Sequence, residues 1–178
     1  MRRLYACAAA VAALAAAPAW ADLKPGAKAP DFTAQAYLSG KPFNYNLASE
    51  LKKGPVVVYF FPSAHTKGCN IEAHLFSEAI DQFKAEKATV IGVTAGNTDQ
   101  LADFSKETEH CGGKFPVASD PGAKIAKEYD AILAQKPDWS NRTSYVINRN
   151  GEVADVYSAL DPSDHVNKTL AAVKALKK

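Results

Sequence analysis

Cysteine is scarce in this chain. The 178 residues include three, Cys7, Cys69 and Cys111, too few for a disulfide scaffold. None forms a Cys-x-x-Cys pair, the arrangement in which one thiol stabilises the thiolate of its neighbour. Charge of one sign is also lacking. Lys and Arg number 21 against 19 Asp and Glu, and two of the basic residues, Arg2 and Arg3, lie at the extreme N-terminus, which leaves 19 against 19 in the rest. A chain so balanced has no electrostatic case for nucleic acid or an anionic membrane surface as partner. No internal repeat, low-complexity tract or linker follows residue 21. Residues 22–178 therefore read as one domain, long enough to bury a core.

A long hydrophobic run is missing too. The apolar, alanine-rich segment after Arg2-Arg3 is interrupted by Pro18 and is too short for a comfortable membrane span. It has the form of a secretory signal: a basic start, an apolar stretch, then Ala19-Trp20-Ala21, a small-x-small site with the cut expected after Ala21. Residues 1–21 are thus expected to be removed on export, with a periplasmic destination. Cys7 would leave with them. Cys69 and Cys111 remain, and an oxidising compartment permits one bridge between them. Spacing alone leaves a structural staple and a redox pair equally open.

What the sequence does contain is a strand-to-helix seam ending in a thiol. Val56 to Phe61 is a β-branched and aromatic run between Gly54-Pro55 and Pro62, the pattern of a strand buried on both faces. Beyond Cys69 the apolar residues Ile71, Leu75, Phe76, Ala79, Ile80 and Phe83 recur with helical spacing, and Glu72, Glu78, Asp81 and Lys84 fall on the polar side. Cys69 thereby sits at a helix N-terminus, where unpaired backbone N–H groups and the helix dipole favour a thiolate over a thiol.

Further elements alternate as in an α/β fold. Ala88 to Thr94 predicts a second buried strand. A helix with a hydroxyl cap is expected from Thr98 and is expected to end at Gly112-Gly113. Phe115 to Ala118 reads as extended, and a helix bearing Ile125, Ala126 and Tyr129 follows the turn at Asp120-Pro121-Gly122. Thr143–Ile147 and Glu152–Tyr157 flank Asn150-Gly151, a hairpin signal, and a last helix is capped near Ser163. This order is similar to the thioredoxin topology: a central mixed β-sheet flanked by helices. Residues 32–37, turning at 39–42, would add an N-terminal β-hairpin extension.

At these residues the chain resembles the peroxiredoxins of the alkyl hydroperoxide reductase/thiol-specific antioxidant superfamily, in the peroxiredoxin Q or bacterioferritin-comigratory branch. The family pattern Pro-x-x-x-Thr-x-x-Cys is met by Pro62, Thr66 and Cys69, and the family's later arginine, just before a strand, by Arg142. Ala29-Pro30-Asp31-Phe32, Glu72, Phe115-Pro116 and Ser119-Asp120-Pro121 add landmarks, so the resemblance spans nearly all of residues 22–178.

The resemblance implies a thiol peroxidase that reduces hydrogen peroxide and organic hydroperoxides, with Cys69 as the nucleophile that becomes a sulfenic acid. An ordinary cysteine is only about 3% thiolate at pH 7, and making it a useful nucleophile takes about 3 to 4 kcal/mol. A helix N-terminus supplies at most about 2 kcal/mol. The balance falls to a cation, and the resemblance nominates Arg142. By the same resemblance Thr66 donates a hydrogen bond to the thiolate, Pro62 walls the sulfur from water and Glu72 holds the arginine. Many members of the branch carry a second, resolving cysteine five residues after the first; His74 stands there in this chain, and Cys111 is the substitute. An intramolecular Cys69–Cys111 disulfide, with local unwinding around Cys69 to form it, is expected in preference to a one-cysteine cycle without a resolving partner. No cofactor or metal is implied. The expected partners are the peroxide and a thioredoxin-like or other thiol reductant, for a monomer or weak homodimer. Two other readings compete. One is an exported thiol-disulfide oxidoreductase, although Thr66 occupies the first position of the missing Cys-x-x-Cys. The other is a metal-binding module using His65, His74, His110 and Cys111, although exported copper chaperones resemble a Cys-x-x-x-Cys pattern absent here.

Overall fold

The computed structural model describes residues 23–176; the signal expected over residues 1–21 lies outside the described residues. Seven strands form one sheet: β1 (Thr33–Leu38), β2 (Lys41–Asn46), β3 (Val56–Phe60), β4 (Thr89–Thr94), β5 (Val117–Ser119), β8 (Thr143–Ile147) and β9 (Val153–Ser158), in the order β2-β1-β5-β4-β3-β8-β9. A separate hairpin joins β6 (Ile132–Leu133) to β7 (Lys136–Ser140). The helices are α1 (Leu47–Leu51), α2 (Lys67–Ala85), α3 (Leu101–Lys106), α4 (Lys124–Glu128) and α5 (His165–Ala175). Among these helices none is long and apolar enough to cross a membrane.

The alternation of side chains along β3 sets the layers. Val57, Tyr59 and the following Phe61 enter one core with α2, α3 and α5, and Val56, Val58 and Phe60 enter the other with α1 and α4. Every residue of β3 is buried, as a strand covered on both faces requires. β3 runs parallel to β4 on one side and antiparallel to β8 on the other. The sheet is therefore mixed, as expected, and the N-terminal hairpin β1–β2 extends it by pairing β1 with β5. Phe76 and Phe83 anchor α2 on this sheet; both are fully buried, each contributing about 1.5–3 kcal/mol by leaving water.

Three local expectations are corrected. Glu72 does not lie on a solvated face of α2. The buried stripe is Cys69, Glu72, Ala73, Phe76, Ser77, Ala79, Ile80 and Phe83, and Ile71 is exposed instead. The helix that begins at Thr98 is a 3₁₀ turn (Thr98–Gln100) running into α3, which ends at Lys106, well before Gly112-Gly113. Glu107 takes extended backbone angles (φ −64°, ψ 128°) and ends the helix; the chain then folds back so that the Gly112 and Gly113 N–H groups donate to the carbonyls of Glu107 and Ser105. Both glycines have positive φ (58° and 69°), which makes them closers of this turn. Finally, α3 and α5 lack the expected hydroxyl caps. Asn97 precedes the 3₁₀ turn in the left-handed region, and Asp164 rather than Ser163 precedes α5, neither with a side-chain cap.

Candidate active site

The segment between β3 and α2 is held from the side by the end of β4. Pro62, with no N–H to give, ends the strand, and its carbonyl accepts from Thr94 Oγ1 at 3.1 Å. Asn97 Nδ2 donates to the Ala64 carbonyl at 2.9 Å. Gly96 makes this approach possible, since a Cβ there would lie 2.4 Å from the Pro62 oxygen. His65 adopts φ +57°, unusual for a residue with a side chain, and turns the chain into the helix. Thr66 is the extended N-cap residue, and its carbonyl accepts the first helical bond from Asn70 N at 2.8 Å. Cys69 follows in the first turn, where amide N–H groups have no helical acceptor. The Thr66 hydroxyl donates to the Ser63 carbonyl at 2.9 Å. Its one proton is used to shape the turn, which corrects the expectation that it is given to sulfur.

Arg142 reaches this turn through sheet register. It immediately precedes β8, whose first residue, Thr143, pairs with Phe60, the last residue of β3. Its guanidinium is then held in three directions: Nε donates to the Leu160 carbonyl at 2.8 Å, Nη1 to Glu72 Oε2, and Nη2 to Cys69 Sγ at 3.5 Å. All three side chains are buried, at 1% exposure for Cys69, 0% for Glu72 and 4% for Arg142. Sequence reasoning missed Gly68, where a Cβ would stand 2.9 Å from Arg142 Nη2. A glycine inside the first turn of a helix, against its propensity, was the available signal.

Burial pushes the Glu72 carboxyl up to about 8, and the Arg142 guanidinium pulls it back only in part. Burial lowers Arg142, but the charges of Glu72 and Cys69 more than offset this and raise it. Behind Glu72 stands His165, fully buried and pushed down chiefly by that burial. Its Nε2 lies 2.9 Å from the Ala159 carbonyl, which only a donor satisfies, so in the neutral ring Nδ1 accepts from Ser144 Oγ at 2.8 Å. Glu72 Oε1, 3.5 Å from Nδ1 and without a hydrogen-bond partner, therefore faces a lone pair rather than an ion-pair partner.

Cys111 is buried beyond α3, in the turn closed by Gly112 and Gly113. Burial, then the nearby Glu107 carboxylate, raises its thiol well above the ordinary range. Both cysteines are free thiols and share one core with Tyr59. The Tyr59 hydroxyl is buried without a hydrogen-bond partner, and its pKa is raised by burial and then by Cys111, Glu72 and Cys69. Among the other residues named as possible metal ligands, His74 is exposed on α2 and lies 3.4 Å from Glu78. His65 and His110 converge instead on Glu107.

The result is a buried, preorganised thiol site with a fixed cation beside the sulfur. Residues 25–156 match the AhpC/TSA family model. The chain is 31% identical to peroxiredoxin Q, chloroplastic, of Sedum lineare over 159 residues, 89% of this chain and 82% of that protein. It is likewise 31% identical to the peroxiredoxin Q of Oryza sativa subsp. japonica, over 85% of this chain and 67% of that one. The crystal structure of peroxidoxin BcpB from Mycobacterium tuberculosis superposes with a TM-score of 0.77 at 27% identity, covering 88% of this chain and 99% of that one. The chain belongs to the AhpC/TSA family, in its peroxiredoxin Q branch, and is a thiol-dependent peroxidase of the peroxiredoxin type.

Proposed function

We propose that Cys69 is the nucleophile that reduces the peroxide. Its thiolate attacks one peroxide oxygen, the O–O bond breaks, and the departing oxygen takes a proton and leaves as water or an alcohol, while Cys69 becomes a sulfenic acid. The observation that carries this reading is the 3.5 Å contact from Arg142 Nη2 to Sγ at a helix N-terminus. The guanidinium and the unpaired amides both stabilise negative charge, on sulfur before the attack and on the peroxide oxygens during it. Leu160 and Glu72 hold the guanidinium so that its third arm needs no reorganisation.

Cys111 resolves the sulfenic acid in this proposal. Its thiol attacks the Cys69 sulfur, water leaves, and a disulfide forms that an external thiol reductant, thioredoxin-like or otherwise, returns to two thiols. Both sulfurs are buried, so the first turn of α2 and the turn around Cys111 must loosen for them to meet. The Gly112-Gly113 turn supplies that freedom at the Cys111 end. The reaction is placed outside the cytoplasm on the strength of residues 1–21, and the protein is taken to work as a monomer or weak homodimer.

Stopped-flow peroxide reduction with Cys69→Ser and Cys111→Ser, followed by mass spectrometry, tests the scheme. Cys69→Ser is expected to lose at least about 10³-fold in rate. Cys111→Ser is expected to keep the first peroxide step and to accumulate oxidised Cys69 instead of the disulfide. Full activity in Cys69→Ser would refute the assignment of the nucleophile, and an unaltered product in Cys111→Ser would refute the resolving step.

A further inference from the structure

Outside the peroxide site, three side chains converge in a way that attack on peroxide does not use. His65 Nε2 lies 2.9 Å and His110 Nδ1 2.7 Å from the same oxygen, Glu107 Oε2. The ligating atoms of the three residues all lie within 4.8 Å of one another. His65 and Glu107 are partly open to solvent, with side chains 27% and 40% exposed, so an ion has direct access. The arrangement is also prepositioned. Phe104, fully buried, has the His110 ring stacked on it at 4.8 Å and the His65 ring edge-on at 5.3 Å. Gln100 Oε1, 2.7 Å from His65 Nδ1, fixes that ring from behind, the role an outer hydrogen-bonding partner plays for a metal-bound imidazole.

We propose that His65, Glu107 and His110 form a binding site for a divalent cation of the zinc class, which ties the segment before α2 to the turn that carries Cys111. Two imidazoles and one carboxylate, with a position left for water, suit Zn²⁺; Ca²⁺ and Mg²⁺ prefer all-oxygen sets. Tetrahedral zinc with bonds of about 2.0–2.1 Å separates its ligand atoms by about 3.3 Å. The two short contacts to Glu107 would open slightly, and the gap between the imidazole nitrogens would close by no more than about 1.5 Å, by side-chain rotation. The ion takes the place of the two hydrogen bonds between the rings and Glu107, and it requires each imidazole to present a nitrogen lone pair. Its position gives it a mechanical consequence. His65 stands immediately before Thr66 and α2, and His110 immediately before Cys111. A filled site therefore clamps both segments and keeps the Cys111 thiol in its buried place. This goes beyond the peroxidase reading, since the hydrogen bonds of the three residues run to one another and to Gln100 and not to Cys69 or Arg142.

Zinc chloride titrated into the chelator-treated full chain tests the site by calorimetry and elemental analysis. One equivalent is expected to bind. Glu107→Gln, which keeps the shape of the side chain, is expected to weaken binding by about tenfold or more, and His74→Asn, outside the cluster, to leave it unchanged. The clamp is read by thiol alkylation in Cys69→Ser, followed at the peptide that contains Cys111 by mass spectrometry so that Cys7 does not contribute. Zinc is expected to slow labelling of Cys111 about tenfold or more in this variant, and not in Cys69→Ser/Glu107→Gln. Absence of saturable binding, or binding indifferent to Glu107→Gln, would overturn the site. Labelling unaffected by bound zinc, or slowed equally in both variants, would overturn the clamp.

Discussion

A Cβ on Gly68 would stand 2.9 Å from Arg142 Nη2, closer than side-chain carbons approach a neighbour in folded proteins. The guanidinium occupies space that any larger residue at position 68 would claim, and from there it reaches the Cys69 sulfur. The arginine is thus positioned by what it binds, Glu72 and Leu160, and by what is left out beside it.

Gly68→Ala separates helix propensity from site geometry. Alanine favours a helix over glycine by up to about 1 kcal/mol, so thermal stability is expected to hold or rise. The displaced guanidinium is expected to cost peroxide reduction about 10²-fold, the scale of a misplacement near 1 Å. Unchanged kcat/KM for peroxide would show that the arginine tolerates displacement.

Arg142→Lys keeps the charge and loses the fork. One ammonium cannot serve Leu160, Glu72 and Cys69 together in the directions that Nε, Nη1 and Nη2 serve. Peroxide reduction is expected to fall by about 10²- to 10³-fold, as when a preorganised donor is removed from an active site. A variant within twofold of the parent would mean that charge alone suffices.

Tyr59→Phe removes a buried hydroxyl that has no hydrogen-bond partner. Its desolvation is uncompensated, so the folded state is expected to gain about 1 kcal/mol or more, seen as a higher denaturant midpoint with the same m-value. A loss of stability would indicate that the hydroxyl is bonded in solution.

His165 gives the fold a dependence on acid. Burial, the first cause, holds its pKa below 6.5, and the Arg142 charge acts in the same direction, against Ala159, Asp161 and Asp164. Glu72 faces Nδ1, and Tyr157 packs on the ring. A histidine depressed in the folded state binds fewer protons there than in the unfolded chain. Its contribution is therefore fully present above about pH 6.5 and is lost as the pH falls toward the folded value. Urea unfolding from pH 7.5 to 5 is expected to show a steeper decline for the parent than for His165→Gln, and NMR titration of the ring protons to give a midpoint below 6.5. Parallel curves would remove His165 from the acid response.

Much of this was legible in the sequence, and the failures share a cause. The run Val56 to Phe61 could be assigned because its pattern reports burial on two faces, and Arg142 could be tied to Cys69 through the resemblance. Periodicity puts Glu72 on the polar side of α2 because it treats a carboxylate as solvated; the burial is accommodated by the guanidinium that arrives from the residue before β8 and by the raised pKa of the carboxyl. Gly112-Gly113 has the form of a helix end, which makes α3 longer in the sequence than in the fold. The stop comes at Glu107, whose backbone turns extended and whose carboxylate meets His65 and His110, the first of them far away in sequence and so invisible to local pattern. The β6–β7 hairpin, short and largely exposed, carried no pattern strong enough to separate it from a loop.

The pairing of Phe60 with Thr143 has one more consequence. Cys69 and Arg142 lie 73 residues apart, yet both depend on the ends of two hydrogen-bonded strands. Chain added at an exposed tip along the way, such as Gln135 between β6 and β7, changes neither end of that pair. Each doubling of such a loop costs only about 0.6 kcal/mol in closure entropy. The excursion can thus vary in length and decoration, and acquire new partners, while the distance between sulfur and guanidinium stays the same.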